Sequence, residues 1–277
     1  MASSVKEFYI PLDTAQLRCR LRIPNGPLKT SENKPTEVIL IVHGLLDTID
    51  SPLFVHLQQT LKYPTLAFDF QGNGKSSGTT SYGNYYEEAD SIYQVIQYIK
   101  TTLHLVPLGI IGHSKGASSM FLFAYKYPTE CPRLLINISA RFWLAKEPNK
   151  RWSLDQMQML KTEGRFMWKK YGNPEGGVPL REYWIDRVHL EERRITDMAV
   201  VQGLPLDRCF VLNVFGKMDR VVPEEDVWEY DRLLRMAAPD SSRVTTKVVP
   251  FATHFWSSPQ ELSEITQIIG IWTREKK

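Results

Sequence analysis

A chain of 277 residues that is 43% hydrophobic and 23% charged can bury a substantial core as one α/β domain, which excludes a disordered chain. Its net charge of +3 is small for this length, so no basic field argues for a nucleic-acid partner. Three widely separated cysteines, Cys19, Cys131 and Cys209, lack metal-ligand spacing and read as buried free thiols in a reducing compartment.

The start, Met1 to Lys6, has no positive region followed by an apolar run, and no segment reaches the length of a membrane span. The expectation is a soluble, cytoplasmic protein without cofactor or metal, monomeric or homodimeric. Val5 to Leu12 and Ala15 to Ile23 read as strands joined by a turn at Asp13-Thr14. Leu17, Cys19, Leu21 and Ile23 alternate with Arg18, Arg20 and Arg22, and period two predicts one wet face. This hairpin belongs at a sheet edge, followed by a polar loop over 24–35. Thr36 to Val42 is a nearly continuous β-branched run, as a central strand covered on both faces requires.

His43-Gly44-Leu45-Leu46 ends that strand, and Ser51-Pro52 reads as N-cap and first turn of a short helix. Pro64 to Phe70 is a second buried strand, running into a glycine-rich turn from Asp69 to Ser76. Tyr85, Ala89, Ile92, Ile96 and Ile99 recur at helical spacing and predict a long helix over Tyr85 to Leu103. Pro107 to Ile111 reads as a buried strand and Ala117 to Tyr127 as an apolar helix. Between them stands Gly112-His113-Ser114-Lys115-Gly116. Arg133 to Ser139 is the next strand.

Regular alternation then stops between 141 and 205, where Trp143, Trp152, Phe166, Trp168, Tyr171, Tyr183 and Trp184 stand among many charges. The stretch reads as a small helical cap inserted into a core formed by 1–140 and 206–277. Its slight basic excess reads as a solvated face. The chain resumes with a strand over Arg208 to Phe215, a helix over Pro223 to Met236 and a strand over Arg243 to Val249. The last helix opens on Ser258-Pro259-Gln260-Glu261, a capping box with proline at its first position. Eight strands interleaved with helices predict a mostly parallel sheet covered on both faces.

The Gly112-to-Gly116 pattern, G-x-S-x-G between strand and helix, has the form of a nucleophile elbow. A serine hydroxyl is a poor nucleophile at its free pKa, so it needs a tight turn and a general base. The base in turn needs an acceptor that fixes its tautomer. His113 adjoins Ser114, but neighbours on a sharp turn point apart, and His56, His104 and His189 fall on helices or the cap. His254 is better placed, in a loop after the final strand, where open α/β sheets gather ligands; a loop histidine without a role is the plain alternative. Asp219 leaves the penultimate strand, where it could accept from that histidine or merely cap the helix near Pro223. Asp69 is the rival acid, for which the expected role is binding backbone N–H groups of its glycine turn.

With the order Ser114, Asp219, His254 and the motifs at His43-Gly44, Asp69 to Ser76 and Gly112 to Gly116, the chain resembles the α/β-hydrolase superfamily over almost its whole length. Within it the resemblance is to the serine-aminopeptidase-like, cinnamoyl (feruloyl) esterase-like and monoacylglycerol-lipase-like group. It implies an α/β-hydrolase fold with an eight-stranded sheet, Ser114 as nucleophile, His254 as base and Asp219 as its partner. It also implies an oxyanion hole from the backbone N–H groups of Lys115 and Leu45, with Leu46 as the alternative second donor. The family turn commonly has arginine where Gln71 stands, a lost charge partner with no expected effect on catalysis. Lys115 opposes a helix dipole at a cost of about 0.3–1 kcal/mol and is expected to face solvent, with an anionic partner as the alternative.

The implied reaction is hydrolysis of a carboxylic ester of a small or medium acyl or aroyl group through an acyl-enzyme on Ser114, the partner being a small-molecule ester. Another acyl bond (peptidase, thioesterase, acyl transfer) and ligand binding without turnover are the competing readings. Substrate contacts are expected from Leu46, His113, Phe142, Trp143, Trp168 and Trp184, while most of the cap aromatics pack the cap onto the core.

Overall fold

The apolar runs become the centre of one eight-stranded sheet in the computed structural model, which describes residues 3–24, 35–146 and 151–276. In chain order these strands are β1 (Ser4–Pro11), β2 (Gln16–Ile23), β3 (Glu37–Val42), β4 (Thr65–Phe68), β5 (Val106–His113) and β6 (Leu134–Ile138). Two further strands, β7 (Arg165–Asn173) and β8 (Val178–Asp186), pair only with each other; β9 (Phe210–Gly216) and β10 (Val244–Val249) complete the main sheet. Its order is β1-β2-β4-β3-β5-β6-β9-β10, parallel except where β2 meets β1 and β4. The expected loop over 24–35 lies almost wholly outside the described residues.

Helices cover both faces, as continuous apolar strands demand. On one face α2 (Tyr85–Thr101), α3 (Lys115–Lys126) and α6 (Glu224–Ala237) pack a cluster that includes Ile92, Phe121 and Leu234. On the other, α1 (Pro52–Thr60) and α7 (Pro259–Glu275) bury Leu57, Ile265 and Trp272 against Ile41 and Ile111. The capping box of α7 is formed in both directions. Ser51 is the N-cap residue of α1 and Pro52 opens its first turn, with the Ser51 carbonyl accepting Phe54 and Val55 N–H while its hydroxyl goes to Asp47 rather than to the helix. Cys19 and Cys209 are buried and Cys131 is half-buried, all as free thiols. Among the described residues no helix is long and apolar enough to cross a membrane.

Two expectations need correction. The face of β2 carrying Arg18 is not wet: Arg18 is 3% exposed, bonded to Glu7 at 2.8 Å and Asp50 at 2.5 Å, and lies 3.5 Å from Asp69. The segment that leads into α1 folds over that face, and alternation within β2 carries no information about it. The stretch 141–205 is not purely helical either. Between α4 (Leu154–Thr162) and α5 (Arg187–Ile195) it contains the antiparallel β7–β8 hairpin, and a 3-10 turn at Met198–Gly203 follows α5. Phe166, Tyr183 and Ile185 point to its buried face and Met167 and Trp184 to the exposed one, the period-two pattern of a strand pair.

The hairpin sits on the Asp69-to-Ser76 turn. Arg181 donates to the carbonyls of Gly72 at 2.7 Å and Ser76 at 3.0 Å, and the Tyr171 hydroxyl donates to Gly72 O at 2.8 Å. Its buried face, with Tyr82, packs against the half-buried Leu45 and Leu46 at the end of β3. The sheet order reverses between β3 and β5, which makes the C-terminal ends of these two strands a topological switch point, where open α/β sheets bind ligands.

Candidate active site

Ser114 stands between β5 and α3 at φ 52° and ψ −122°, a region that a non-glycine residue enters at a cost of about 1–3 kcal/mol. The neighbouring glycine makes the turn sterically feasible: a Cβ on Gly116 would lie 2.2 Å from the His43 carbonyl oxygen. The Ser114 N–H donates to Ile138 O at 2.8 Å, fastening the elbow to the end of β6. The Ser114 hydroxyl points to Nε2 of His254 at 3.1 Å, and Nδ1–H of His254 donates to Asp219 Oδ2 at 2.7 Å. Both inner partners are shielded, with side-chain exposures of 5% for His254 and 0% for Asp219.

The two loops that carry His254 and Asp219 are tied together, Met218 N–H donating to Ala252 O at 2.9 Å. Asp219 Oδ1 also accepts the N–H groups of Val221 at 2.7 Å and Val222 at 2.8 Å, so the carboxylate organises its own turn as well as facing the histidine. Asp69 lies elsewhere. It accepts the Thr48 hydroxyl and Ile49 N–H, both at 2.8 Å, and Lys75 N–H at 3.0 Å, joining its glycine turn to the segment that follows Leu46. Arg18, rather than a residue at position 71, is the cation nearest it.

The His254 loop is held from below by Glu261, whose Oε1 accepts the Thr253 N–H at 2.5 Å and hydroxyl at 2.7 Å while Oε2 accepts Ser258 N–H at 2.8 Å. Burial alone would raise this carboxyl, but the bonds from Thr253 and Ser258 outweigh it and hold it at about 2. The folded-state value lies below the usual 4.5, so this stabilisation is complete above about pH 4.5 and is lost as pH falls toward 2. Glu261→Gln is therefore expected to cost on the order of 2 kcal/mol in urea unfolding at pH 7, with the gap to wild type narrowing at pH 3. A gap that is the same at both pH values would contradict it.

His113 is buried and donates from Nε2 to the backbone carbonyl of His254 at 2.8 Å. Burial, and then the neighbouring His254, push its imidazole down to about 4, so it is neutral at pH 7 with its proton on Nε2. It steadies the His254 main chain and has no open face toward a ligand. At the end of β3, His43 donates from Nδ1 to Gly44 O at 2.8 Å and accepts Phe70 N–H on Nε2 at 2.9 Å. A trans peptide sets carbonyl and N–H on opposite sides, so fixing Gly44 O also fixes the direction of Leu45 N–H. Leu46 follows at φ 54°. A Cβ on Gly44 would come within 3.0 Å of the Ser114 Cβ, which measures how closely this segment lies against the serine. Among the described residues, the N–H groups of Leu45, Leu46 and Lys115 have no protein acceptor.

The Lys115 side chain does not face solvent. It is 4% exposed and paired with Glu88 at 2.7 Å, because α2 packs against α3 where the sequence alone suggests an open helix end. Of the expected substrate contacts, Leu46 and Trp168 both pack against the cluster of Tyr82, Phe166, Tyr183 and Ile185. Phe142 is instead a core residue packed on Tyr230, and Trp143 covers its outer side at 38% exposure under Lys146. Trp184 lies on the exposed face of the hairpin with Arg165 over its ring, turned from the serine by the period of its strand. Sequence reasoning missed Asp226, a buried carboxylate that accepts Phe142 N–H at 2.6 Å and fixes the chain just after β6. The available signal was an acid four residues before Tyr230 on the buried stripe of α6.

Residues 37–161 match the family described as the alpha/beta hydrolase fold. The sheet order and the elbow on β5 are those of the same fold. The chain has the α/β-hydrolase fold. The chain is also similar to the uncharacterized protein YqkD of Bacillus subtilis (strain 168), 37% identical over 190 residues. That match takes in 67% of this chain and 56% of YqkD, so the chain spans about half the length of this curated relative. The ferulic-acid-bound structure of Est1E from Butyrivibrio proteoclasticus aligns with a TM-score of 0.72 at 19% identity, over 97% of this chain and 98% of that one. Mouse alpha/beta hydrolase domain-containing protein 10 aligns with a TM-score of 0.65 at 16% identity, over 98% and 100%. At these identities the two solved structures speak for the α/β-hydrolase fold.

Proposed function

We propose that this chain is a serine hydrolase that cleaves the carboxylic ester of a small or medium acyl or aroyl group through an acyl-enzyme on Ser114. The observation that carries the reading is the hydrogen-bonded series Ser114 Oγ, His254 and Asp219 at a strained strand-to-helix turn. In the proposed reaction Ser114 Oγ attacks the ester carbonyl while Nε2 of His254 takes its proton. Asp219 keeps the proton of Nδ1 in place and stabilises the imidazolium. The N–H of Lys115, at the positive end of α3, and that of Leu45, with Leu46 as the alternative, bond the oxyanion. His254 then protonates the departing alkoxide, and water repeats the sequence to release the acid.

The insertion over 141–205 acts in this reading as a cap, and the acyl group lies against Leu45, Leu46 and Trp168. Aromatic walls favour a flat or apolar acyl group. Ferulic acid bound to Est1E, a protein of similar fold, supports the aroyl choice. The test is turnover of p-nitrophenyl esters of increasing chain length beside a feruloyl ester. The expected result is kcat/KM highest for short to medium acyl chains or the feruloyl group and falling for long chains. Cleavage of a thioester or peptide with no ester turned over would replace the ester reading with another acyl bond.

A further inference from the structure

The residue after the nucleophile carries two groups that work in opposite directions. The Ser114 carbonyl accepts the N–H groups of Ala117 at 3.0 Å and Ser118 at 3.2 Å, which commits it to α3. The Lys115 N–H, on the other side of the same peptide plane, therefore leaves the helix end toward the serine. The Lys115 side chain runs back into the protein. Its ammonium donates to Ser81 O at 3.0 Å, to Glu88 Oε1 at 2.7 Å and to Asn84 Oδ1, and it lies 5.1 Å from the Tyr85 ring. Three donors meet three acceptors, all from α2 or the segment that leads into it. Glu88 is itself 4% exposed, and its second oxygen accepts the Ser119 hydroxyl at 2.8 Å.

Stability alone does not explain such a cage. Burying an ammonium and a carboxylate costs several kcal/mol per ion before they pair, and well-packed apolar side chains often replace a buried pair with no loss. What apolar residues cannot supply is direction. Three hydrogen bonds fix the Lys115 side chain in one orientation, and with it the Cα to which the outward N–H is attached. We infer that Lys115 is a positioning residue: caged by Ser81, Asn84 and Glu88, its side chain holds its own backbone N–H on line with the oxyanion that forms at Ser114. The inference rests on the serine-hydrolase reading. Glu88 belongs to the same device.

The test compares wild type, Lys115→Met and the double variant Lys115→Met with Glu88→Leu, each titrated for active sites with a fluorophosphonate so that kcat refers to folded protein. Lys115→Met leaves Glu88 buried and unpaired, so its melting temperature is expected to fall; the double variant recovers much of that loss. In both, kcat is expected to drop about 10- to 100-fold, less than the loss on removing an oxyanion donor outright, with KM within about threefold. The affinity of a boronic acid, whose tetrahedral adduct needs the same N–H, should fall by the same factor as kcat/KM. A folded double variant with kcat within twofold of wild type would overturn the inference, because the pair would then be structural only. A wild type that turns over no ester and takes no fluorophosphonate would overturn the serine-hydrolase reading, and this inference with it.

Discussion

Ser114→Ala is expected to lower kcat by about 10⁵- to 10⁶-fold with little change in KM, since the hydroxyl is the group that makes and breaks the acyl bond. The same position should report on strain. Alanine keeps the φ of 52° that Ser114 adopts, whereas glycine enters that region freely. Ser114→Gly should therefore be as inactive as Ser114→Ala and about 1 kcal/mol more stable in urea unfolding. If Ser114→Gly is instead less stable than Ser114→Ala by the roughly 0.5–1 kcal/mol that glycine's extra freedom in the unfolded chain costs, the elbow holds no strain and its backbone is not the reason the serine is exposed.

Asp219→Asn should lower kcat by about 10⁴-fold, because an amide facing Nδ1 can donate its own N–H and favour the wrong imidazole tautomer. Asp69→Asn should do the reverse. Asp69 joins the glycine turn to Thr48 and Ile49 and lies near Arg18, so its loss should cost about 2–4 kcal/mol of stability while the folded fraction keeps most of its kcat. Steady-state kinetics on active-site-titrated protein, with urea unfolding of the same samples, separates the two effects. An intact Asp219→Asn enzyme beside a folded but inactive Asp69→Asn would reverse the roles given to the two carboxylates.

The fold was legible where one physical signal dominated. The Thr36-to-Val42 run and the 3.6-residue spacing from Tyr85 to Ile99 each call for burial of a kind that only a central strand or a covered helix supplies, and β3 and α2 form within one or two residues of the expected ends. The serine, acid and histidine that the structure brings together were legible too, because each lies just past a strand that the pattern identified. Buried charge was not legible. Arg18, Lys115 and Asp226 are covered by segments distant in sequence, and alternation within one element does not reveal what packs on it from outside. Glu88 carried a hint, standing three residues after Tyr85 and four before Ile92 on the buried stripe of α2, where a carboxylate needs a cation. The hairpin within 141–205 also had its signals in Phe166 and Trp168, Tyr183 and Ile185, and a glycine-rich turn, but dense charge and aromatic content masked the period of two.

The most direct test of the central claim is covalent labelling by a fluorophosphonate, which reacts with a serine only when a base and an oxyanion site are assembled around it. Intact-protein mass spectrometry should show one adduct on the wild type, mapped by peptide analysis to Ser114, and none on Ser114→Ala. A folded wild type that stays unlabelled, or one labelled at another residue, would contradict the account.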